Sequence, residues 1–289
     1  MTEALLGLGN DLEYCACPVC NEPESKASPY GSGPYQVVTC KSCGLWYLSP
    51  RAIESRLRDI YLRDEYFEGD GSGYDDYAGQ QRSLRATFRA VLKQLAKRGA
   101  TGGALLEVGC GYGYFLDEAR PFFDRRVGTD MSPSAARVAA GNADTVYQGD
   151  LSAVPQDCLF DCIVALHVVE HVYHPPAFIR QLSAMLKPGG ALLLAAPDMG
   201  GFWRKVMGDK WPSFKYPEHV VFYDRRTLSS VMRDAGLSAL DTVPYPHAFS
   251  LRDIFTKLGF PAFDPLQRVN VWLPSTTVAV LGRAPGAVE

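Results

Sequence analysis

From residue 101 onward, short uninterrupted apolar runs alternate with segments of helical period. The runs ALLEVG (104–109), RRVGTD (125–130), DTVYQGD (144–150), LFDCIVAL (159–166), ALLLAAP (191–197) and TTVAVLG (276–282) read as strands. Between them, helices are expected over Tyr114–Arg120, ending near Pro121, over 132–141, over Pro176–Leu186 and over Arg226–Ala235. Ser132 is an N-cap with Pro133 at the first helical position, and Gly141 follows the end of that helix. KPGG (187–190) reads as a turn. Strands that are apolar throughout, rather than at every second position, belong to a parallel sheet covered on both faces. Its crossovers should be right-handed, and its ligands should bind beyond the carboxyl ends of the strands.

The first hundred residues follow other patterns. Leu84, Phe88, Val91, Leu92 and Leu95 form one apolar helical face, which Gly99, Gly102 and Gly103 end. Residues 1 to 50 are rich in Cys, Pro and Gly and have no helical period. Here Cys17-Pro-Val-Cys20 and Cys40-Lys-Ser-Cys43 give the spacing C-x2-C-x19-C-x2-C. Each knuckle brings two thiolates to one ion, and two knuckles complete a tetrahedron, so a zinc site is expected. Four thiolates leave no open position, which makes that ion structural. It would also supply folding free energy to a segment poor in aliphatic residues. Cys15 is an extra candidate, whereas Cys110, Cys158 and Cys162 lie in apolar surroundings and read as core.

Composition narrows the class. The 289 residues are 47% hydrophobic and 21% charged, with 29 Lys plus Arg against 32 Asp plus Glu, a net charge of -3. That balance fits a folded globular chain and lacks the basic excess of a nucleic-acid binder. The longest apolar stretch, Ala191–Ala196, falls far short of the ~18 residues a membrane span needs. The N-terminus has no basic region ahead of an apolar one, so a reducing cytoplasm is expected.

The chemistry concentrates where strands end. Glu107-Val108-Gly109-Cys110-Gly111-Tyr112-Gly113 is a strand running into a glycine turn and then a helix. It departs from the dinucleotide pattern G-x-G-x-x-G, and Glu107 would face the ligand, where a carboxylate suits an amine better than a diphosphate. Asp130 closes the second strand, where an acid accepts ribose hydroxyls. Asp150 closes the third, within reach of an adenine amino group. Phe160-Asp161 opens the fourth strand and Leu186-Lys187-Pro188-Gly189-Gly190 precedes the fifth.

These ordered elements resemble the class I S-adenosylmethionine-dependent methyltransferases over roughly residues 104 to 240. The resemblance implies an α/β fold, a doubly wound Rossmann-like sheet preceded by a small zinc-ribbon-like module (1–50) and a helical linker or cofactor lid (51–100), with the methyltransferase domain at 101–289. It places Gly109, Gly111 and Gly113 along the methionine part of the cofactor and Glu107 at its amine. Asp130 would take ribose, Asp150 adenine, and Leu166 with His167 would border the sulfonium. Met131 and Leu151 complete the expected cofactor contacts, and Tyr74 and Tyr77 would close over it. The segment CPVC…CKSCGLWYLSPR is similar to one that precedes some bacterial deoxysugar and natural-product methyltransferases. The chain lacks the large C-terminal domain of the deoxysugar group, which weighs against a sugar acceptor.

Methyl transfer to oxygen also needs a proton removed, and histidine titrates in the right range. His167, at the carboxyl edge of the fourth strand, is a candidate base. So is His219, in Tyr216-Pro217-Glu218-His219, where similar enzymes carry a Glu-His pair, and so is His171. His167-Val-Val-Glu170-His171 also spells H-x-x-E-H, an inverted zinc-protease pattern, but that motif needs a helix where a buried strand has just ended. The stretch Asp198–Phe222, with Phe202, Trp203, Trp211, Phe214 and Tyr216, is either an aromatic acceptor pocket or a small satellite core. The leading expectation is O-methylation of a small-molecule acceptor of natural-product, sugar or glycan type, in a chain that forms a homo-oligomer or stands alone. The alternatives are an RNA methyltransferase that uses the zinc module for RNA contact, and a non-catalytic zinc- and cofactor-binding interaction protein.

Overall fold

The structure, a computed structural model, describes residues 11–61, 77–257, 261 and 264–286. The N-terminal part contains β1 (Leu12–Glu13), β2 (Ser25–Ser32), β3 (Tyr35–Cys40), β4 (Trp46–Leu48) and β5 (Arg51–Ala52), then helices α1 (Glu54–Tyr61) and α2 (Gln81–Lys97). After them run β6 (Ala104–Val108), α3 (Tyr114–Glu118), β7 (Arg125–Asp130), α4 (Pro133–Ala139), β8 (Thr145–Gln148), β9 (Phe160–Leu166), α5 (Pro175–Ala184) and β10 (Leu186–Pro197). The chain continues through α6 (Phe202–Met207), β11 (Val221–Phe222), α7 (Arg225–Asp234), β12 (Ser238–Thr242), β13 (His247–Ser250), α8 (Leu251–Lys257), β14 (Asn270–Leu273) and β15 (Thr277–Arg283).

A seven-stranded sheet in the order β12-β15-β10-β9-β6-β7-β8 forms the centre. β6 is buried throughout and β9 at every position but Asp161, so both faces are covered, as their apolar runs require. β6, β7, β8, β9 and β10 pair in parallel, but β15 runs antiparallel to both β10 and β12. This corrects the all-parallel sheet expected from sequence. A strand buried on both faces reads the same in either direction, and β15 inserts between β12 and β10. KPGG is not a separate turn: it lies within β10, whose register against β9 shifts between Leu186 and Ala191.

Local signals account for the helix ends. Ser132 Oγ accepts from Ala135 N at 3.3 Å, and Asp224 with Thr227 makes a reciprocal capping box on α7. The apolar face of α2 buries Phe88, Val91, Leu92 and Leu95, each side chain contributing roughly 1.5–3 kcal/mol against exposure. Ordering of the N-terminal module depends on distant chain. Its four-stranded sheet has the order β11-β4-β3-β2, so β11, from the 198–222 insertion, supplies its edge. One continuous apolar core then runs from Cys17, Leu45 and Tyr47 through Phe222 and Tyr223 to Val280. No helix among the described residues is long and apolar enough to cross a membrane.

Candidate active site

The turn after β6 approaches its surroundings so closely that side chains are excluded. Gly109, Gly111 and Gly113 all have positive φ (69°, 50° and 75°), a region that costs an L-residue strain. A Cβ on Gly109 would sit 2.5 Å from Val168, and one on Gly111 would sit 2.8 Å from the Tyr77 hydroxyl. Asp130, at the end of β7, ties this turn down: one carboxylate oxygen accepts from Gly111 N at 2.8 Å and the other from Ser132 N at 2.9 Å. Each oxygen keeps a second lone pair for a ligand hydroxyl. Glu107 lies beneath the turn, buried, with Oε2 lacking any hydrogen-bond partner. Desolvation, and then the nearby Asp130 charge, pushes its carboxyl well above the ordinary range. A buried acid with one unpartnered oxygen, in the strand that runs into a glycine turn, fits the ammonium group of an amino-acid moiety.

Tyr77 lies over the same turn, stacked on Tyr114 with ring centroids 5.6 Å apart and edge-on to Tyr112 at 5.1 Å. Tyr74 lies outside the described residues. Beyond the ends of β7 and β8, a cleft of about 320 Å³ is lined by Met131, Gln148, Gly149, Asp150, Ser152, Ala153 and Arg58. Asp150 caps the following turn through Ser152 N, and its other oxygen pairs with Arg58 of α1 at 2.7 Å. The hydrogen bonds from Ser152 come first, with the Arg58 charge adding to them, and together they hold the Asp150 carboxyl below its ordinary range. Arg58 was not foreseen from sequence, because a contact across 92 positions leaves no local signal. Leu151 and Leu166 are buried at the same edge.

The histidines separate into two groups. His167, directly after β9, has φ +58°, uncommon for a non-glycine residue and a mark of functional sites. Its Nδ1 lies 3.4 Å from Glu170 Oε1 and its Nε2 3.5 Å from Thr277 Oγ1, with Tyr245 and His247 packed around the ring. The side chain retains 22% exposure, enough for another molecule to reach it. His171 and His219 form an edge-to-face pair with centroids 4.7 Å apart. Nδ1 of His171 faces Glu218 O at 3.0 Å, and Nδ1 of His219 faces Ser213 O at 2.8 Å. Burial pushes both imidazoles below their ordinary range, His219 far below, with His171 its second cause. Glu170, which had no assigned role from sequence, lies among all three. Val169–His171 is a three-residue turn, so the H-x-x-E-H string lacks the helix a protease would need.

The aromatic insertion divides as well. Trp211 is buried, and Phe214 and Tyr216 pack on Tyr30 and Tyr35 of the N-terminal module, so they belong to the continuous core rather than to a separate satellite core. Phe202 is 60% exposed, and Trp203 Nε1 donates to Pro274 O at 2.8 Å. In the module itself, the thiols of Cys17, Cys20, Cys40 and Cys43 lie within 4.8 Å of one another. Cys17 Sγ is 3.6 Å from Cys43 Sγ, and Cys20 Sγ is 3.5 Å from Cys40 Sγ. A tetrahedron of thiolates around zinc has sulfur–sulfur edges of about 3.8 Å, so the set fits that ion. Cys43 N points at Cys40 Sγ at 3.4 Å, a knuckle contact that favours the thiolate. Cys15 instead faces Leu48 O.

Comparison with known proteins places this architecture. The methyltransferase-domain family profile matches residues 80–243. The malonyl-[acyl-carrier protein] O-methyltransferase of Serratia marcescens is 28% identical over 197 residues, covering 65% of this chain and 76% of that protein. A ubiquinone biosynthesis O-methyltransferase of Xanthomonas campestris is 35% identical over 157 residues, covering 51% of this chain and 64% of its own length. A solved S-adenosylmethionine-dependent methyltransferase from Thermotoga maritima shares the fold, with TM-score 0.56 and 17% identity over 79% of this chain and 99% of that one. A matching family profile across more than half the chain, on a sheet whose order and one reversed strand the structure shows, has one meaning: the chain belongs to the class I S-adenosylmethionine-dependent methyltransferases.

Proposed function

We propose that the protein methylates a hydroxyl of a small-molecule acceptor, with His167 as the general base. The carrying observation is the placement of His167 at the carboxyl end of β9: left-handed, partly exposed, and flanked by Glu170 and Thr277. The bound cofactor supplies an electrophilic methyl group on a sulfonium. The chain's own tasks are to hold that group in line with the acceptor, to keep water out and to take the acceptor proton. In this reading Glu107 receives the cofactor's ammonium, while Gly109, Gly111, Gly113 and Leu166 let its methionine part lie against the backbone. Asp130 takes the ribose hydroxyls. Met131, Asp150 and Leu151 border adenine in the cleft that Arg58 edges, and Tyr77 covers the glycine turn. As the new O–C bond forms, the acceptor's proton passes to His167, and Glu170 at 3.4 Å stabilises the imidazolium. His219 and His171, more enclosed and bonded through Nδ1 to backbone, serve better as fixed polar neighbours of that proton transfer than as its acceptor. Both relatives named above are O-methyltransferases, which supports oxygen as the acceptor atom.

We assign a structural zinc ion to Cys17, Cys20, Cys40 and Cys43, on the fit of their sulfur separations to a thiolate tetrahedron. The reading keeps residues 1–50 as the metal module, 51–100 as linker and lid, and 101–289 as the methyltransferase domain. The test is turnover with a panel of phenolic, sugar and carrier-linked hydroxyl acceptors, with product detected by mass. His167→Ala should lower kcat by about 10²–10⁴-fold and leave cofactor-product affinity within about twofold. Unchanged kcat in that variant would remove the base assignment.

A further inference from the structure

The carboxylate between the histidines meets one donor only loosely, His167 Nδ1 at 3.4 Å from Oε1. Glu170 is 1% exposed, and neither Oε1 nor Oε2 makes a well-formed hydrogen bond. Leaving an ionised carboxylate in that state is expensive unless a cation or a donor meets it. Its surroundings supply nitrogen ligands. One oxygen of Glu170 and one ring nitrogen each of His171 and His219 lie within 4.8 Å of one another. Both imidazoles face a backbone carbonyl through Nδ1, Glu218 O and Ser213 O respectively. A neutral imidazole that donates from Nδ1 carries its lone pair on Nε2, and a histidine anchored in this way is the usual outer support of a metal ligand.

We propose that Glu170, His171 and His219 form a second metal site, for a divalent first-row transition ion of the zinc or iron(II) type. Two imidazoles and one carboxylate are a borderline ligand set that suits such ions better than magnesium or calcium. In a formed site the ligand atoms would stand about 3.4 Å apart, from metal–ligand distances near 2.1 Å. The carbonyl contacts hold the two rings, so the adjustment falls to Glu170, whose carboxylate is restrained only by the long contact to His167. Three protein ligands leave a position for an oxygen from water or acceptor. Oε1 of Glu170 also lies 3.4 Å from His167 Nδ1. An acceptor hydroxyl bound to the ion would therefore be acidified beside the proposed base. That use rests on the methyl-transfer reading, whereas the existence of the site does not.

Metal content of the full chain, purified, loaded with Zn2+ and desalted, tests the proposal. We expect two zinc ions per chain, one in the cysteine cluster and one here. Glu170→Gln, close to isosteric, and His219→Ala should each retain one. Reconstitution with Co2+ should show a visible absorption component without thiolate charge transfer, lost in Glu170→Gln. Circular dichroism identifies any variant that fails to fold, and Glu170→Gln then carries the comparison, with added Zn2+ titrated calorimetrically into the wild-type chain as a second measure. One zinc per chain in the wild type, or two retained in folded Glu170→Gln, overturns the site. S-adenosylhomocysteine affinity, measured on the same samples, separates the two readings. Normal affinity with one zinc defeats the metal site alone, and absent affinity with two zinc ions defeats the methyltransferase assignment alone.

Discussion

At the scale of single residues, the proposed cofactor edge includes groups that cost the cofactor-free protein stability. Glu107 is the clearest: buried, without a partner on Oε2, and pushed up by desolvation and Asp130. In the unfolded chain this carboxyl ionises in its ordinary range, and in the fold it resists ionising. Its contribution is therefore a loss of stability that grows as pH rises above the ordinary carboxylate range and is absent below it. Glu107→Gln should accordingly raise the melting temperature of the cofactor-free protein at neutral pH and have little effect near pH 4. It should also weaken cofactor binding about 10–100-fold, the worth of a hydrogen bond to a charged group. Scanning calorimetry at the two pH values and isothermal titration check the two halves, and a variant unchanged in both would refute the assignment. Gly111 is constrained twice, by φ +50° and by the Tyr77 hydroxyl 2.8 Å from its missing Cβ. Gly111→Ala should cost about 1–2 kcal/mol through backbone strain alone. It should also displace Tyr77 and weaken the cofactor by more than tenfold, and unchanged affinity by calorimetry would count against this turn as the binding site.

At the scale of elements, what decides function is which chain ends meet. β9 delivers His167, the turn after it delivers Glu170 and His171, and the insertion delivers His219 from the far side. Most of the strands and helices were legible because each carries its own signal: uninterrupted apolar runs, Ser132 followed by Pro133, and the stripe Leu84–Leu95 on α2. Among the elements that were missed, β11, β12 and the β13–β14 pair are short and mixed in polarity, and partners distant in sequence stabilise them. The Arg58–Asp150 pair joins the linker helix to the cleft. Both side chains are substantially exposed, so Arg58→Ala should cost under about 1 kcal/mol of stability. Its measurable effect should be a several-fold change in cofactor affinity that shrinks with added salt, and a salt-independent change would show that Arg58 acts by packing.

At the scale of the whole molecule, the four-cysteine module and the methyltransferase sheet share a core. β11 pairs with β4, Tyr173 Oη donates to Ala52 O, and buried side chains are continuous from Cys17 to Val280. Loss of the ion proposed for the cysteine cluster should therefore reach the methyltransferase sheet. Cys20→Ser should release zinc and lower the melting temperature of the entire chain in one transition, by several degrees for a loss of about 2–3 kcal/mol. Two separate transitions, or normal melting without metal, would show instead that the module is energetically independent.

Sequence alone determined the features that depend on near neighbours. The double C-x2-C knuckle, the glycine turn after a buried strand, the acids closing β7 and preceding the turn at 151–153, and the alternation that makes an α/β sheet are all written within a few residues of where they act. Tertiary structure alone decided the direction of β15, the exchange of β11 into the module's sheet, and the gathering of Glu170 with His167, His171 and His219. The physical reason is common to all three. Burial on two faces carries no direction, a two-residue strand has no period, and a carboxylate's need for a partner appears only once folding has removed water from around it.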